Sequence, residues 1–123
     1  MNTHPDLTGF VGVCSTAGPG VAQAVADAGK IGKVFTVGMG MLKSMKKYLA
    51  DGSASAGVLW DVEALGYLTA WAGVQMAQGK PFAATTKVGD GALSDVTYDP
   101  ATEVVLMGKP LTLTKETVDK YPY

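Results

Sequence analysis

The sequence predicts an α/β protein: a three-stranded parallel βα core over Gly9–Trp60, then a long helix and an extended C-terminal segment. Three observations carry this reading. First, three strand-then-helix patterns follow one another at nearly equal spacing, and a helical crossover after each strand implies parallel pairing. Second, each strand reads as apolar on both faces, as expected of strands covered by helices on both sides. Third, Gly57-Val58-Leu59-Trp60-Asp61 runs an apolar strand straight into a helix start, because Asp is a good N-cap.

The first unit begins with a strand over Gly9–Val13. The loop Cys14-Ser15-Thr16-Ala17-Gly18-Pro19-Gly20 leads to a helix ending near Ala28. Pro19 suits the first helical position, where its missing N–H is not needed, and Gly29 is the stop. Val21, Ala22, Val25 and Ala26 form a narrow apolar stripe whose small alanines allow close approach to a sheet. The second unit has a strand over Lys33–Val37, closed by Gly38-Met39-Gly40, and a helix from about Met41 to Ala50. Leu42, Met45 and Leu49 make its buried face, Lys43, Lys46 and Lys47 its wet face, and Gly52 ends it.

The third strand is Ala56–Trp60. Its helix opens at Asp61 and runs to Gln78, with Gly79 and Pro81 as stop signals. Ala64, Leu65, Leu68, Trp71, Ala72 and Met76 recur at helical spacing. Tyr67 and Trp71 have the spacing of a stacking pair for a sugar, but on so apolar a helix they are expected in the core. Beyond Lys80 the character changes. Thr85–Val88, Ser94–Tyr98 and Glu103–Met107 read as short strands, with turns at Gly89-Asp90-Gly91 and Asp99-Pro100. Thr114-Lys115-Glu116-Thr117 reads as a terminal helical turn. Residues 1–60 thus form three βα units, and residues 61–123 form a crossover helix, short strands and a closing segment, together one incomplete domain.

Composition narrows the function. The chain has 123 residues, 47% hydrophobic and 17% charged, with a formal net charge of −1. All ten cationic residues are lysines; there is no arginine. Arginine is the preferred planar fork for phosphate, carboxylate and guanine, so its absence argues against nucleic acid and against a clamped anion. No apolar run approaches the ~20 residues of a membrane-spanning helix. Met1-Asn2-Thr3-His4-Pro5-Asp6 has neither a basic n-region nor an apolar h-region, so no signal peptide is expected in this chain. One cysteine, Cys14, and one histidine, His4, make neither an internal disulfide nor a zinc site. A Cys14–His4 nucleophilic pair is conceivable, but a Cys closing an apolar strand is expected as a small core residue.

The strand ends are where an α/β protein binds ligands. The Cys14–Gly20 loop opens a helix and can offer backbone N–H groups to an anion. It carries no G-x-x-x-x-G-K-[ST] and no G-x-G-x-x-G, and no acidic residue ends the second strand. A small nucleotide-binding protein or enzyme using this loop is therefore the second choice. There is no G-x-S-x-G elbow, and Asp90, Asp95 and Asp99 lie in turn-like sequence. What remains is neutral: Ser15, Thr16, backbone around Val13 and Gly40, Met39, and one carboxylate, Asp61. That set suits an uncharged polyhydroxyl ligand, since a carboxylate accepts two sugar hydroxyls well. Asp61 as a mere helix cap is the competing reading. No cofactor is implied.

Taken together, these segments resemble the C-terminal third of type I periplasmic sugar-binding proteins of ABC transporters, in the branch of the autoinducer-2 receptor and the rhamnose-binding proteins. The resemblance rests on Pro5-Asp6-Leu7-Thr8-Gly9-Phe10-Val11, Pro19-Gly20-Val21-Ala22-Gln23-Ala24-Val25, Val37-Gly38, Tyr48, Gly52, Leu59-Trp60-Asp61 and Thr114-Lys115-Glu116-Thr117-Val118-Asp119-Lys120-Tyr121. It implies a lobe of such a protein, a neutral sugar or sugar-like ligand, a permease partner for a full-length relative, and the periplasm as location. It maps ligand contacts onto Val13, Ser15, Thr16, Met39, Gly40 and Asp61. Cys14 stands where the signalling-molecule receptor has Asp, and Gly40-Met41 where it has Ser-Thr, so the ligand itself is open. Family members have two lobes. A chain of this length is expected to be a fragment with weak or no binding alone, or an orphan piece without a ligand. Self-association through an exposed strand edge, at Lys33–Val37 or a neighbour, and through the Asp61–Gln78 helix is expected with it.

Overall fold

The computed structural model describes Met1 and residues 3–121; Asn2, Pro122 and Tyr123 lie outside the described residues. The chain divides into two compact units, Met1–Leu59 with Leu111–Tyr123, and Trp60–Pro110.

The first unit is a four-stranded sheet with two helices. Its elements are β1 (Gly9–Gly12), α1 (Ala17–Asp27), β2 (Phe35–Met39), α2 (Leu42–Asp51) and β3 (Ala56–Leu59). β1, β2 and β3 pair in parallel in that order. The three βα units therefore stand as the spacing predicts, each boundary within a residue or two of its expected place. α1 starts earlier, at Ala17, so Pro19 is its third residue. That position is still harmless, because the first-turn N–H groups have no partner inside the helix. α2 ends on Gly52 in the left-handed conformation, φ 81°, which glycine adopts without a Cβ penalty.

A row of four residues crosses this sheet from strand to strand: Gly12, Gly38, Gly57 and Leu113 are successive register partners. Both helices pack on this face. A Cβ added at Gly12 or Gly38 would fall 2.8 Å or 2.6 Å from the backbone of Ala17–Gly18 at the start of α1. At Gly57 it would meet the Met45 methyl of α2 at 3.6 Å. The glycines thus let the helices lie against the strands. The core that results holds Ala22, Leu42, Met45, Tyr48, Leu49, Leu59, Leu113 and Val118. The buried Thr36 hydroxyl donates to the Ser53 carbonyl at 2.8 Å, so the polar group inside is satisfied.

Two expectations are corrected here. The strands are not covered on both faces: Val11, Val13 and Phe35 keep 75%, 79% and 61% of their surface exposed. Both helices lie on the glycine side, so the branched residues on the opposite side face solvent. In addition, Leu111–Leu113 forms a strand, β7, antiparallel to β3. The closing segment therefore belongs with residues 1–59 rather than with the rest of 61–123. β7 and β1 are the sheet's outer strands and β2 is internal; Lys33–Val37 is not an edge, and its neighbour β1 is. The expected turn at Thr114–Thr117 is present and leads into a 3-10 turn over Val118–Lys120.

The second unit holds α3 (Val62–Ala77) and a three-stranded antiparallel sheet of β4 (Thr85–Thr86), β5 (Val96–Asp99) and β6 (Val104–Leu106). Asp99 closes β5 as a turn residue: its carboxylate accepts the Ala101 N–H and the Thr102 hydroxyl at 2.9 Å and 2.8 Å. Those bonds, the Thr102 hydroxyl first, hold the Asp99 carboxyl below its usual range. The unit's core is small, with Leu68, Leu93 and Val96 buried and Trp71 packed against them. Only Leu68 of α3 is fully buried. Trp71 joins the core as expected. Tyr67, Leu65 and Met76 do not; all three are exposed. Three short strands offer too little surface to cover a sixteen-residue helix that is apolar nearly all round.

Candidate functional site

The carboxyl ends of β1 and β2 carry five of the six sequence-derived positions. Val13 leaves β1 fully turned to solvent, and Ser15 and Thr16 follow in an exposed turn. The turn is held by backbone: the Cys14 carbonyl accepts the N–H groups of Ala17 and Gly18 at 3.0 Å and 3.3 Å. Thr16 is the N-cap of α1 but its side chain makes no capping bond. Its hydroxyl lies instead 3.4 Å from the Cys14 sulfur. That contact, with the N–H groups of Ala17 and Thr16, holds the Cys14 thiol below its usual range. Cys14 is exposed, so the core role expected from its place after an apolar strand is not what the fold gives it.

Met39 and Gly40 close β2. Met39 is half-buried and Gly40 buried. The start of α1 presses on this corner: a Cβ at Gly18 would fall 2.2 Å from the Met39 carbonyl oxygen. Met45 fills the space beside Gly40, where a Cβ would meet its side chain at 2.5 Å. The corner is thus fixed by backbone packing against two small residues. Beside it, Val11, Val13, Val37, Met39 and Val58 line a shallow, almost wholly apolar pocket of about 260 Å³. Ser15, Thr16 and Gly40 do not line it.

Asp61, the sixth position, belongs to the second unit. It is half-buried, and one carboxylate oxygen accepts the Ala64 N–H at 2.9 Å, an N-cap bond. Its other oxygen has no hydrogen-bond partner among the described residues. Glu63, Ala64, Tyr67 and Leu93 line a pocket of about 250 Å³ with it. The sequence places Tyr67 in the core and does not single out Glu63. The evenly apolar helix carries no wet face to show which side lies open. A cap does not use up both oxygens of a carboxylate, so capping and recognition are compatible at Asp61. No group of three or more His, Cys, Asp or Glu suited to a metal occurs among the described residues.

A parallel βα sheet offers its strand ends as the place for a ligand. A model of the periplasmic binding protein domain matches residues 1–81. The chain belongs to the periplasmic binding protein family, a family of binding proteins and not of enzymes. Among curated proteins, none matches the sequence. Among solved structures, a sugar ABC transporter protein from Actinomyces odontolyticus ATCC 17982 is 27% identical, with a TM-score of 0.82 over 99% of this chain and 39% of its own. LsrB from Clostridium saccharobutylicum, in complex with AI-2, is 24% identical, with a TM-score of 0.74 over 99% of this chain and 42% of its own. A solute-binding protein from Clostridium phytofermentas with bound L-rhamnose is 21% identical, with a TM-score of 0.74 over 98% and 41%. The chain spans about two-fifths of the length of these proteins.

Proposed function

We propose that the chain is part of the solute-binding component of a carbohydrate ABC transporter, and that its ligand is a neutral sugar or a sugar-like molecule. The observation that supports this most strongly is the likeness to the sugar ABC transporter protein, which extends over 99% of this chain at 27% identity. The chemistry of the strand ends is compatible: hydroxyls at Ser15 and Thr16, backbone at Val13 and Gly40, the soft side chain of Met39, and the partly free carboxylate of Asp61. The neighbours with AI-2 and L-rhamnose point to the same ligand class. On this reading the protein works in the periplasm, with a membrane permease as its partner. The chain is read as a fragment of a two-lobed protein, and contacts between copies at an open sheet edge or along α3 are part of that reading.

The test is thermal unfolding of the chain against a panel of neutral sugars and against nucleotides. A ligand at 100-fold excess over its Kd adds about 2.7 kcal/mol of stability. A single wall removes only part of a ligand from water and cannot close over it. The expected affinity is therefore at most roughly millimolar, with shifts appearing only at high sugar concentration. A shift with ATP and none with any sugar would replace this reading with nucleotide binding at the Cys14–Gly20 loop.

A further inference from the structure

Met45 meets three elements of the first unit at once. It lies on α2 and is 1% exposed. Its Cγ and Sδ lie 2.5 Å and 2.7 Å from the place a Cβ would take at Gly40, just past β2. Its Sδ lies 3.3 Å from the Cβ place at Gly18, in the first turn of α1. Its methyl lies 3.6 Å from the Cβ place at Gly57, in β3. Successive atoms of one unbranched side chain therefore reach three separate elements, as a thioether on a flexible stem can. All three contact points are glycines. No side chain there can turn aside to absorb a change, so a change in Met45 passes straight to backbone.

Two of those glycines belong to the loops that carry the candidate site. Gly18 follows the turn that holds Ser15 and Thr16. Gly40 is itself a candidate position, next to Met39. We propose that Met45 is a positioning residue: its side chain sets the β1–α1 and β2–α2 loops relative to each other, and so shapes the ligand site without touching the ligand. The role of the loops rests on the sugar reading; their coupling through Met45 does not. The loops also meet directly, because the Gly18 backbone lies against the Met39 carbonyl, so the variants are chosen to separate that contact from Met45.

Nitrogen–proton correlation spectra of the labelled chain, taken without any ligand, read the loops residue by residue. Met45→Leu conserves volume, but its chain is one atom shorter and branches beside Gly40. It should shift the amide signals of Ser15, Thr16 and Gly40 together. Leu49→Ala, a comparably buried change one turn along α2, should leave Ser15 and Thr16 in place. Gly40 is not among the glycines with positive φ, so Gly40→Ala acts through space alone. It should push Met45 aside and shift Ser15 and Thr16. With Met45→Ala in the same chain the added Cβ has room, and that shift should disappear. Three results overturn the proposal: Met45→Leu leaves Ser15 and Thr16 unmoved, Leu49→Ala moves them as far, or Gly40→Ala moves them equally with and without Met45. Should the double variant fail to fold, the comparison of Met45→Leu with Leu49→Ala decides. None of these spectra uses a sugar, so failure of the sugar reading and failure of the coupling are separate results.

Discussion

Asp61 joins two tasks on one carboxylate, and a single atom separates them. One oxygen caps α3 through the Ala64 N–H; the other is available. Asn caps about as well as Asp, so Asp61→Asn should leave the melting temperature nearly unchanged. In a two-lobed protein carrying this segment, the same change should weaken sugar binding roughly ten- to hundredfold, the worth of a charge-assisted hydrogen bond. Calorimetry with unchanged affinity would assign Asp61 to capping alone. The cap was legible in the sequence because an apolar strand running into Asp is a local signal. Tyr67 was not legible. Its neighbours in α3 are apolar on every side, and which side stays open depends on the size of the sheet that covers it. Cys14 was misread because the strand ends sooner than its apolar run suggests: β1 closes at Gly12, and Cys14 lies in the exposed turn that opens α1.

Elements meet in the first unit through absent side chains. The Gly12–Gly38–Gly57 row and Gly18 let α1 and α2 rest on the strands, and Met45 fills the space that remains. Gly18→Ala should therefore be far more costly than an alanine in a helix normally is, since its Cβ would collide with the backbone carbonyl of Met39. We expect α1 to move away from the β2 corner, with a loss of at least about 1–3 kcal/mol in denaturant unfolding, as for overpacked cores. Met45→Ala should cost about 2–5 kcal/mol by the opposite route, a cavity. Gly20→Ala, where nothing lies within 4 Å, is the control and should be neutral or slightly stabilising. The three βα units could be read from periodicity because each is local. β7 could not: Leu111-Thr112-Leu113 is too short to show a pattern, and its partner is β3, far away in sequence.

At the scale of the molecule, the second unit is an insertion. The chain leaves the first unit after Leu59 and returns to it at Leu111. β7, made after the whole inserted unit, is therefore the strand that seals β3. During synthesis β1, β2, β3 and the helices α1 and α2 are made well before Leu111 appears. Until then β3 keeps an open edge beside an apolar face, the arrangement that invites pairing with other chains. Closing the sheet requires the ends of the whole inserted unit to be brought together, a non-local step that folding reaches late. Removing residues 111–123 should thus cost more than a terminal deletion usually does, because Leu113 and Val118 leave the core with it. The truncated chain should aggregate on refolding at concentrations where the full chain stays clear by light scattering. β7 then works as a latch on time as well as on structure: until Leu111–Leu113 are made, β3 depends on whatever keeps its open edge from finding a neighbour first.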